Sequence, residues 1–288
     1  MGNKCKASIG NRIITGDIMI GQVQLLEKID KIIDRFPKFS IIVGPKGSGK
    51  KLIVDHITKK LNLPIVPFGT GIDEVRKIID LSYEQTEPIC YVCYDADFMS
   101  LGAKNSLLKI TEEPPNNAYF ILTLQSMSNT LETIQSRGTV LTLDEYTEEE
   151  LIQYRTIRKY QGKYDNIIKD VCNSTGDVDE LFKNNVEEFY KFAQTVAYQI
   201  HIPTTGNIFK ISKAIKSKDG EAGYDPILLF KTVRSLYIKK AIETKIQNYL
   251  FASMVTSECL RDLSIANVNK VGTVDNWIMA VRTVLRGI

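Results

Sequence analysis

The feature that most limits what this chain can fold into is the stretch Gly44-Pro45-Lys46-Gly47-Ser48-Gly49-Lys50-Lys51. It follows an apolar run, Ser40-Ile41-Ile42-Val43, and leads into helical spacing from Lys51 to Leu61. The pattern GxxxxGK[ST] folds backbone N–H groups around phosphates, sends a Lys to the outer phosphates and puts a hydroxyl on Mg²⁺. Its setting, strand then glycine-rich turn then helix, predicts an α/β fold. The glycines and Lys50 fit the pattern, but Lys51 stands at the hydroxyl position. An ammonium has only donors and cannot ligate a cation.

The neighbouring sequence extends that expectation. Pro64-Ile65-Val66-Pro67, Ile89 to Tyr94, Tyr119 to Leu124 and Thr139 to Leu143 read as further strands. Between them, Ile72, Val75, Ile78 and Ile79 form a helical stripe, and Ser100 to Glu113 reads as another helix. Strands alternating with helices predict a parallel sheet covered on both faces, with its ligand beyond the carboxyl ends of the strands. After Asp144 the strand signal stops. Thr147 and Glu150 form a capping box, and helical patterns run to about Ile200 with breaks at Gly162 and at Asn173 to Gly176. Pro203-Thr204-Thr205-Gly206 reads as a linker before a last helical block, punctuated at Lys218-Asp219-Gly220 and Gly223 to Pro226. The predicted division is 1–144 for the α/β domain, 145–202 for a small helical domain and 203–288 for an all-α domain.

Composition excludes several classes. With 37 basic and 34 acidic residues the net charge is +3, so a nucleic-acid contact has to come from a local patch. No apolar run approaches a membrane span of about 18 residues, and Met1-Gly2-Asn3-Lys4-Cys5-Lys6 has no apolar leader core. Met1-Gly2-Asn3 is a partial myristoylation match of the kind that arises by coincidence. The cysteines Cys5, Cys90, Cys93, Cys172 and Cys259 are scattered, as suits a reducing cytosolic compartment. Cys90 and Cys93 are three apart on a predicted strand, so their thiols face opposite sides, and no second Cys/His pair lies near to complete a zinc site.

A second acidic signal lies about 45 residues beyond the loop, in Tyr91-Val92-Cys93-Tyr94-Asp95-Ala96-Asp97. A strand-end Asp in ATPases of this layout helps to hold Mg²⁺, and a following Glu activates water. Asp95 is present, but Ala96 cannot polarise water. The alternative is that Asp95 and Asp97 cap the next helix.

Asp95 to Arg137 also carries Ala103-Lys104-Asn105-Ser106-Leu107-Leu108-Lys109, Glu112-Glu113-Pro114-Pro115, Phe120-Ile121-Leu122, and Thr133-Ile134 leading to Ser136-Arg137. With Ile20-Gly21-Gln22 and Ile72-Asp73-Glu74-Val75-Arg76 upstream, these residues resemble the clamp-loader branch of the AAA+ ATPases. Within it they are most similar to the δ′ subunits of bacterial DNA polymerase III clamp loaders. The resemblance is specific over about residues 18–143, weaker to 200 and weakest in the final helical block.

It implies an AAA+ domain, a helical lid and a collar that joins subunits into a hetero-oligomeric ring. Partners are then the other clamp-loader subunits, a sliding clamp and primer–template DNA, with no membrane. Arg137 matches the Arg that one subunit extends to the γ-phosphate held by the next, although Gly138 replaces the usual Cys. Arg76 falls where related motors contact DNA phosphate. Lys104 and Lys109 are DNA-contact candidates or solvated helix charges, and Lys213, Lys216, Lys218, Arg234, Lys239 and Lys240 read as a solvated face. The second sensor aligns with Ser174 to Asp179, where Val178 or Asp179 replaces an Arg. The family's four-cysteine module is absent between Leu63 and Gln85, so no zinc is expected. ATP or ADP suits Gly44 to Lys51 with Asp95, and Mg²⁺ enters only alongside a nucleotide. The expectation is a subunit that does not hydrolyse ATP independently and presents Arg137 to a neighbour that does. The alternatives are a working clamp-loader ATPase and another AAA+ protein of DNA transactions.

Overall fold

The computed structural model describes residues 11–14, 17–183, 185–200, 224–264 and 269–286. Pro203 to Gly206, Lys213, Lys216, Lys218 to Gly220, Cys5 and Met1 to Asn3 lie outside the described residues, as does the 202/203 division. The chain forms two compact units, Met1–Glu150 and Leu151–Ile288.

The first unit opens with a hairpin that the sequence pattern did not announce, β1 (Asn11–Ile14) paired antiparallel with β2 (Asp17–Ile20). Then come α1 (Val23–Ile32), β3 (Phe39–Val43), α2 (Lys50–Lys60), β4 (Ile65–Pro67), α3 (Ile72–Tyr83) and β5 (Ile89–Cys93). They are followed by α4 (Leu101–Glu112), β6 (Ala118–Leu124), α5 (Glu132–Gln135) and β7 (Thr139–Thr142). The five strands β3 to β7 form one parallel sheet in the order β4-β5-β6-β3-β7. The sheet is therefore the α/β arrangement expected from the alternating pattern.

Strand alternation assigns the two cores. Phe39, Ile41 and Val43 of β3 pack with Val75 and Ile79 of α3 and Leu107 and Ile110 of α4. Ile42 faces the other way, toward Leu26 and Ile29 of α1 and Ile53, Val54 and Ile57 of α2. Each such side chain contributes roughly 1.5–3 kcal/mol by leaving water. Cys93 belongs to the first core and Cys90 to the second, on opposite faces of β5.

The second unit is helical. It comprises α6 (Glu148–Ile157), which begins at the boundary, then α7 (Asp165–Val171), α8 (Thr175–Lys183) and α9 (Val186–Gln199). After them come α10 (Pro226–Thr244), α11 (Gln247–Leu263) and α12 (Lys270–Leu285). The capping box forms: Thr147 N–H donates to Glu150 Oε2 at 2.8 Å, and Glu150 N–H to Thr147 Oγ1 at 3.2 Å. Asp225 caps α10 by accepting from Leu228 N–H, with Pro226 supplying the preset first-turn φ. Lys231 of α10 pairs with Asp177 of α8 at 2.6 Å, and Lys239 with Asp170 of α7. Trp277 Nε1 donates to Thr256 Oγ1 at 3.0 Å inside the α11–α12 packing.

Candidate phosphate-binding site and arginine edge

The loop leaves β3 at the carboxyl edge of the sheet. Gly44 N–H donates to Leu124 O at 3.1 Å, which continues the β3–β6 ladder one step past the strand. The chain then turns through Gly47 (φ 77°) and Gly49 (φ 94°), a left-handed conformation that a Cβ would strain. A Cβ on Gly49 would also meet Met19 Cε at 3.2 Å. Tyr146, beyond β7, donates its hydroxyl to Ser48 O at 2.9 Å and so holds the loop from the side. Gln22 makes two 2.8 Å bonds to the Asp144 backbone, giving to its carbonyl and accepting from its N–H. The start of α1 is thereby fixed to the end of β7.

Lys50 opens α2 but folds back. Its ammonium donates to Gly44 O at 2.7 Å and Pro45 O at 2.9 Å, and the residue is only 8% exposed. Burial lowers its pKa below the usual lysine value, while the carboxylates of Asp95 and Asp97 pull it back up. Lys51 lies on the outside of the same turn, with Nζ 6.0 Å from the centre of the Tyr94 ring. Lys46 is exposed on the loop. The Ser48 hydroxyl is buried without a hydrogen-bond partner, and a Cβ on Gly44 would come within 2.7 Å of it. A tight glycine turn with a lysine ammonium folded against it and an unspent hydroxyl fits a nucleotide phosphate.

The two aspartates after β5 have different roles. Asp95 is exposed at the strand end in a left-handed conformation (φ 55°), with its N–H bonded to Thr123 Oγ1 at 3.0 Å. Asp97 is 5% exposed and accepts from Gln125 N–H (2.8 and 3.0 Å), Ser126 N–H (3.4 Å) and Asn129 Nδ2 (2.8 Å). It organises the loop after β6. Neither caps α4, contrary to the alternative expectation, because Ser100 does so by accepting from Ala103 N–H. Only the tertiary fold brings positions 97 and 125 together, so the sequence carried no signal for this bond.

Magnesium fits less well than phosphate. Mg²⁺ takes octahedral oxygen ligands, and Lys51 has replaced the hydroxyl while Asp97 is spent on N–H groups. Among the described residues no cluster of three His, Cys, Asp or Glu side chains is placed to hold a metal ion. Asp95, exposed at the end of β5, keeps a free carboxylate face toward solvent.

Arg137 lies at the other edge of the sheet. It precedes β7, whose Thr139 pairs with Ser40 near the start of β3, whereas the loop follows Val43, paired with Thr142. Three residue steps, about 10 Å of strand, separate the two ends. Arg137 Nη2 meets Glu112 Oε1 at 2.8 Å, and Nη1 donates to Thr133 O at 3.1 Å. Gly138 stands where a Cβ would press on Ile41 Cδ1 at 2.9 Å and Phe39 Cε1 at 3.0 Å, so a cysteine there would require these two side chains to shift.

The DNA-contact candidates differ in their engagement. Arg76 is exposed on α3. Lys104 donates to Asn129 O, and Lys109 stands over the Tyr83 ring at 4.7 Å. In the helical unit Val178 is buried, and Asp179 accepts from Tyr154 OH at 2.8 Å and Tyr160 OH at 2.7 Å. Arg234 is exposed, and Lys240 is 3.5 Å from Glu243. No described helix is long and apolar enough to cross a membrane.

Residues 70–147 match the family described as DNA polymerase III, delta subunit. The DNA polymerase III subunit gamma of Buchnera aphidicola subsp. Schizaphis graminum is 24% identical over 226 residues, which is 63% of this chain and 61% of that protein. The chain thus spans less than two thirds of that relative's length. A DNA polymerase III gamma subunit-related protein from Thermotoga maritima superimposes with a TM-score of 0.55 at 17% identity, over 90% of this chain and 99% of that one. That likeness is one of fold. The segment that runs from before α3 to beyond β7, and so holds Asp95, Asp97, Glu112 and Arg137, is therefore similar in sequence to the delta subunit family of DNA polymerase III, within a parallel-sheet α/β fold.

Proposed function

We propose that this chain is a δ′-like clamp-loader subunit that does not hydrolyse ATP itself and lends Arg137 to a neighbouring ATPase subunit. Such a loader would place a sliding clamp on primer–template DNA, with 145–202 as lid and 203–288 as collar. The observation that carries this reading is the position of Arg137 at the sheet edge opposite its own phosphate loop. From there a guanidinium serves a phosphate held by another molecule more readily than one held by Gly44 to Lys50. A guanidinium so placed neutralises charge on the transferring phosphoryl group and is worth about 10³–10⁵ in rate. Support for inactivity comes from Lys51 and Ala96, which remove the metal-binding hydroxyl and the water-activating carboxylate. Arg76, exposed on α3, suits a sequence-independent phosphate contact to the duplex.

The test is ATP turnover by the isolated chain and by a reconstituted loader carrying wild-type or Arg137→Ala chain. The expected result is negligible turnover alone and a loss of at least a hundredfold in the Arg137→Ala loader. Vigorous turnover by the isolated chain would overturn the inactive assignment. It would favour the second reading, an active motor, which the intact Gly44 to Lys50 turn keeps in play.

A further inference from the structure

The lysine that displaces the metal-binding hydroxyl also brings a positive charge of its own. We infer that this loop binds the phosphates of an adenine nucleotide without a divalent cation, the Lys51 ammonium taking the place of Mg²⁺. The inference rests on reading Gly44 to Lys50 as a phosphate-binding loop.

Three observations on different residues converge on it. First, Lys51 is the second residue of α2, on the turn that leaves the loop, and its ammonium lies near Tyr94, the residue that precedes Asp95. That puts an exposed ammonium at the very position from which the loop pattern otherwise supplies the metal-ligating hydroxyl. A compact ammonium on a four-carbon stem reaches and rotates to anionic oxygens as a point charge. Second, the oxygen ligands a metal would use are depleted. Asp97 is committed to Gln125, Ser126 and Asn129, and position 96 is an alanine with its side chain buried. Third, the buried Ser48 hydroxyl retains its hydrogen-bonding capacity inside the loop, which points to an acceptor arriving there from outside the chain.

The charge balance is consistent. Lys50 and Lys51 bring two positive charges to a bound diphosphate, opposed by Asp95 and by Asp97, whose carboxylate is shared with the N–H groups after β6. A metal ion added to that set would sit against the Lys51 ammonium, and like charges at close range repel.

Fluorescently labelled ADP is titrated into the full chain in excess EDTA and again in millimolar Mg²⁺, with wild type, Lys51→Ala and Lys51→Thr. The apo melting temperature of each variant confirms that it folds. The expected result is wild-type affinity that agrees within about threefold between the two conditions. Lys51→Ala should bind at least tenfold more weakly in EDTA, and Lys51→Thr should regain tighter binding only when Mg²⁺ is added. Wild-type binding that tightens tenfold or more with Mg²⁺ overturns the inference and leaves the phosphate-loop reading intact. Equal binding by Lys51→Ala and wild type in EDTA also overturns it. Wild-type binding in neither condition sinks both.

Discussion

Arg137 Nη2 lies 2.8 Å from Glu112 Oε1, so the arginine proposed to serve a neighbour is held by a carboxylate of its own chain. The pair bridges the end of α4 and the turn before β7, and both side chains are well exposed. An exposed pair of this kind is worth about 0–1 kcal/mol, weak enough for a triphosphate to displace. The contact therefore orients the guanidinium without trapping it.

From this follows an asymmetry between the two residues in a reconstituted loader. Arg137→Ala should lower ATP turnover by about a hundredfold or more, and Arg137→Lys should not restore it, because a lysine lacks the planar fork. Glu112→Gln should change the rate by no more than about fivefold. Steady-state hydrolysis with clamp and DNA present measures both, and an equal loss from the two substitutions would assign the pair a structural role.

Lys50 should bring a pH dependence to nucleotide binding. Its folded pKa is depressed by burial, so the neutral form gains population as pH rises through a value below the ordinary lysine 10.5. The cost of burying the ammonium is present at low pH and is relieved across that alkaline window. Affinity for ADP should thus begin to fall before pH 10.5, and Lys50→Ala should bind at least tenfold more weakly at pH 7.5. A titration series from pH 7 to 10.5 checks it, and a flat profile throughout would refute the role.

Asp97 should matter to stability more than its loop position suggests. Asp97→Ala strands the N–H groups of Gln125 and Ser126 and the Asn129 amide. Bonds to a charged acceptor contribute about 1.5–3 kcal/mol each, with strong overlap among them. A loss of about 2–4 kcal/mol in urea unfolding is expected, against less than about 1 kcal/mol for the exposed Asp95→Ala.

The buried thiols make a test in the alkaline range. Burial pushes Cys90 and Cys93 up to about 12, against an ordinary value of 9.0. Below pH 9 the folded and unfolded states both keep these protons. Between 9 and 12 the unfolded state loses them first, so stability falls as pH rises. Each thiol contributes about 1.4 kcal/mol per pH unit there. Cys90→Ala should flatten the decline by about that amount in urea melts at pH 9, 10 and 11, and iodoacetamide at pH 7.5 should leave both residues of the folded wild type unmodified.

How much of this was legible beforehand depends on the range of each interaction. Local periodicity gave the five parallel strands, the capping box at Thr147 and the opposed faces of Cys90 and Cys93, since each depends on residues within one element or turn. The motif spacing marked Gly44 to Lys51 and the Asp95 strand end for the same reason. The β1–β2 hairpin was missed, because its residues, Asn11-Arg12-Ile13-Ile14 and Asp17-Ile18-Met19-Ile20, lack the apolar continuity of the sheet strands. Its antiparallel pairing is all that defines it.

What sequence alone determined, then, was the chemistry present: a glycine turn, two adjacent lysines, a missing hydroxyl, a missing carboxylate and an arginine after Ser136. What the tertiary structure decided was where that chemistry points. Asp97 bonds across 28 residues to Gln125, Tyr146 reaches back 98 to Ser48, and Glu112 takes Arg137. The parallel pairing of β7 with β3 places Arg137 at the end of the strands opposite its own loop. Such partners are chosen by which strands lie side by side, and that choice is made by the packing of two cores over the whole sheet rather than by any local run of residues.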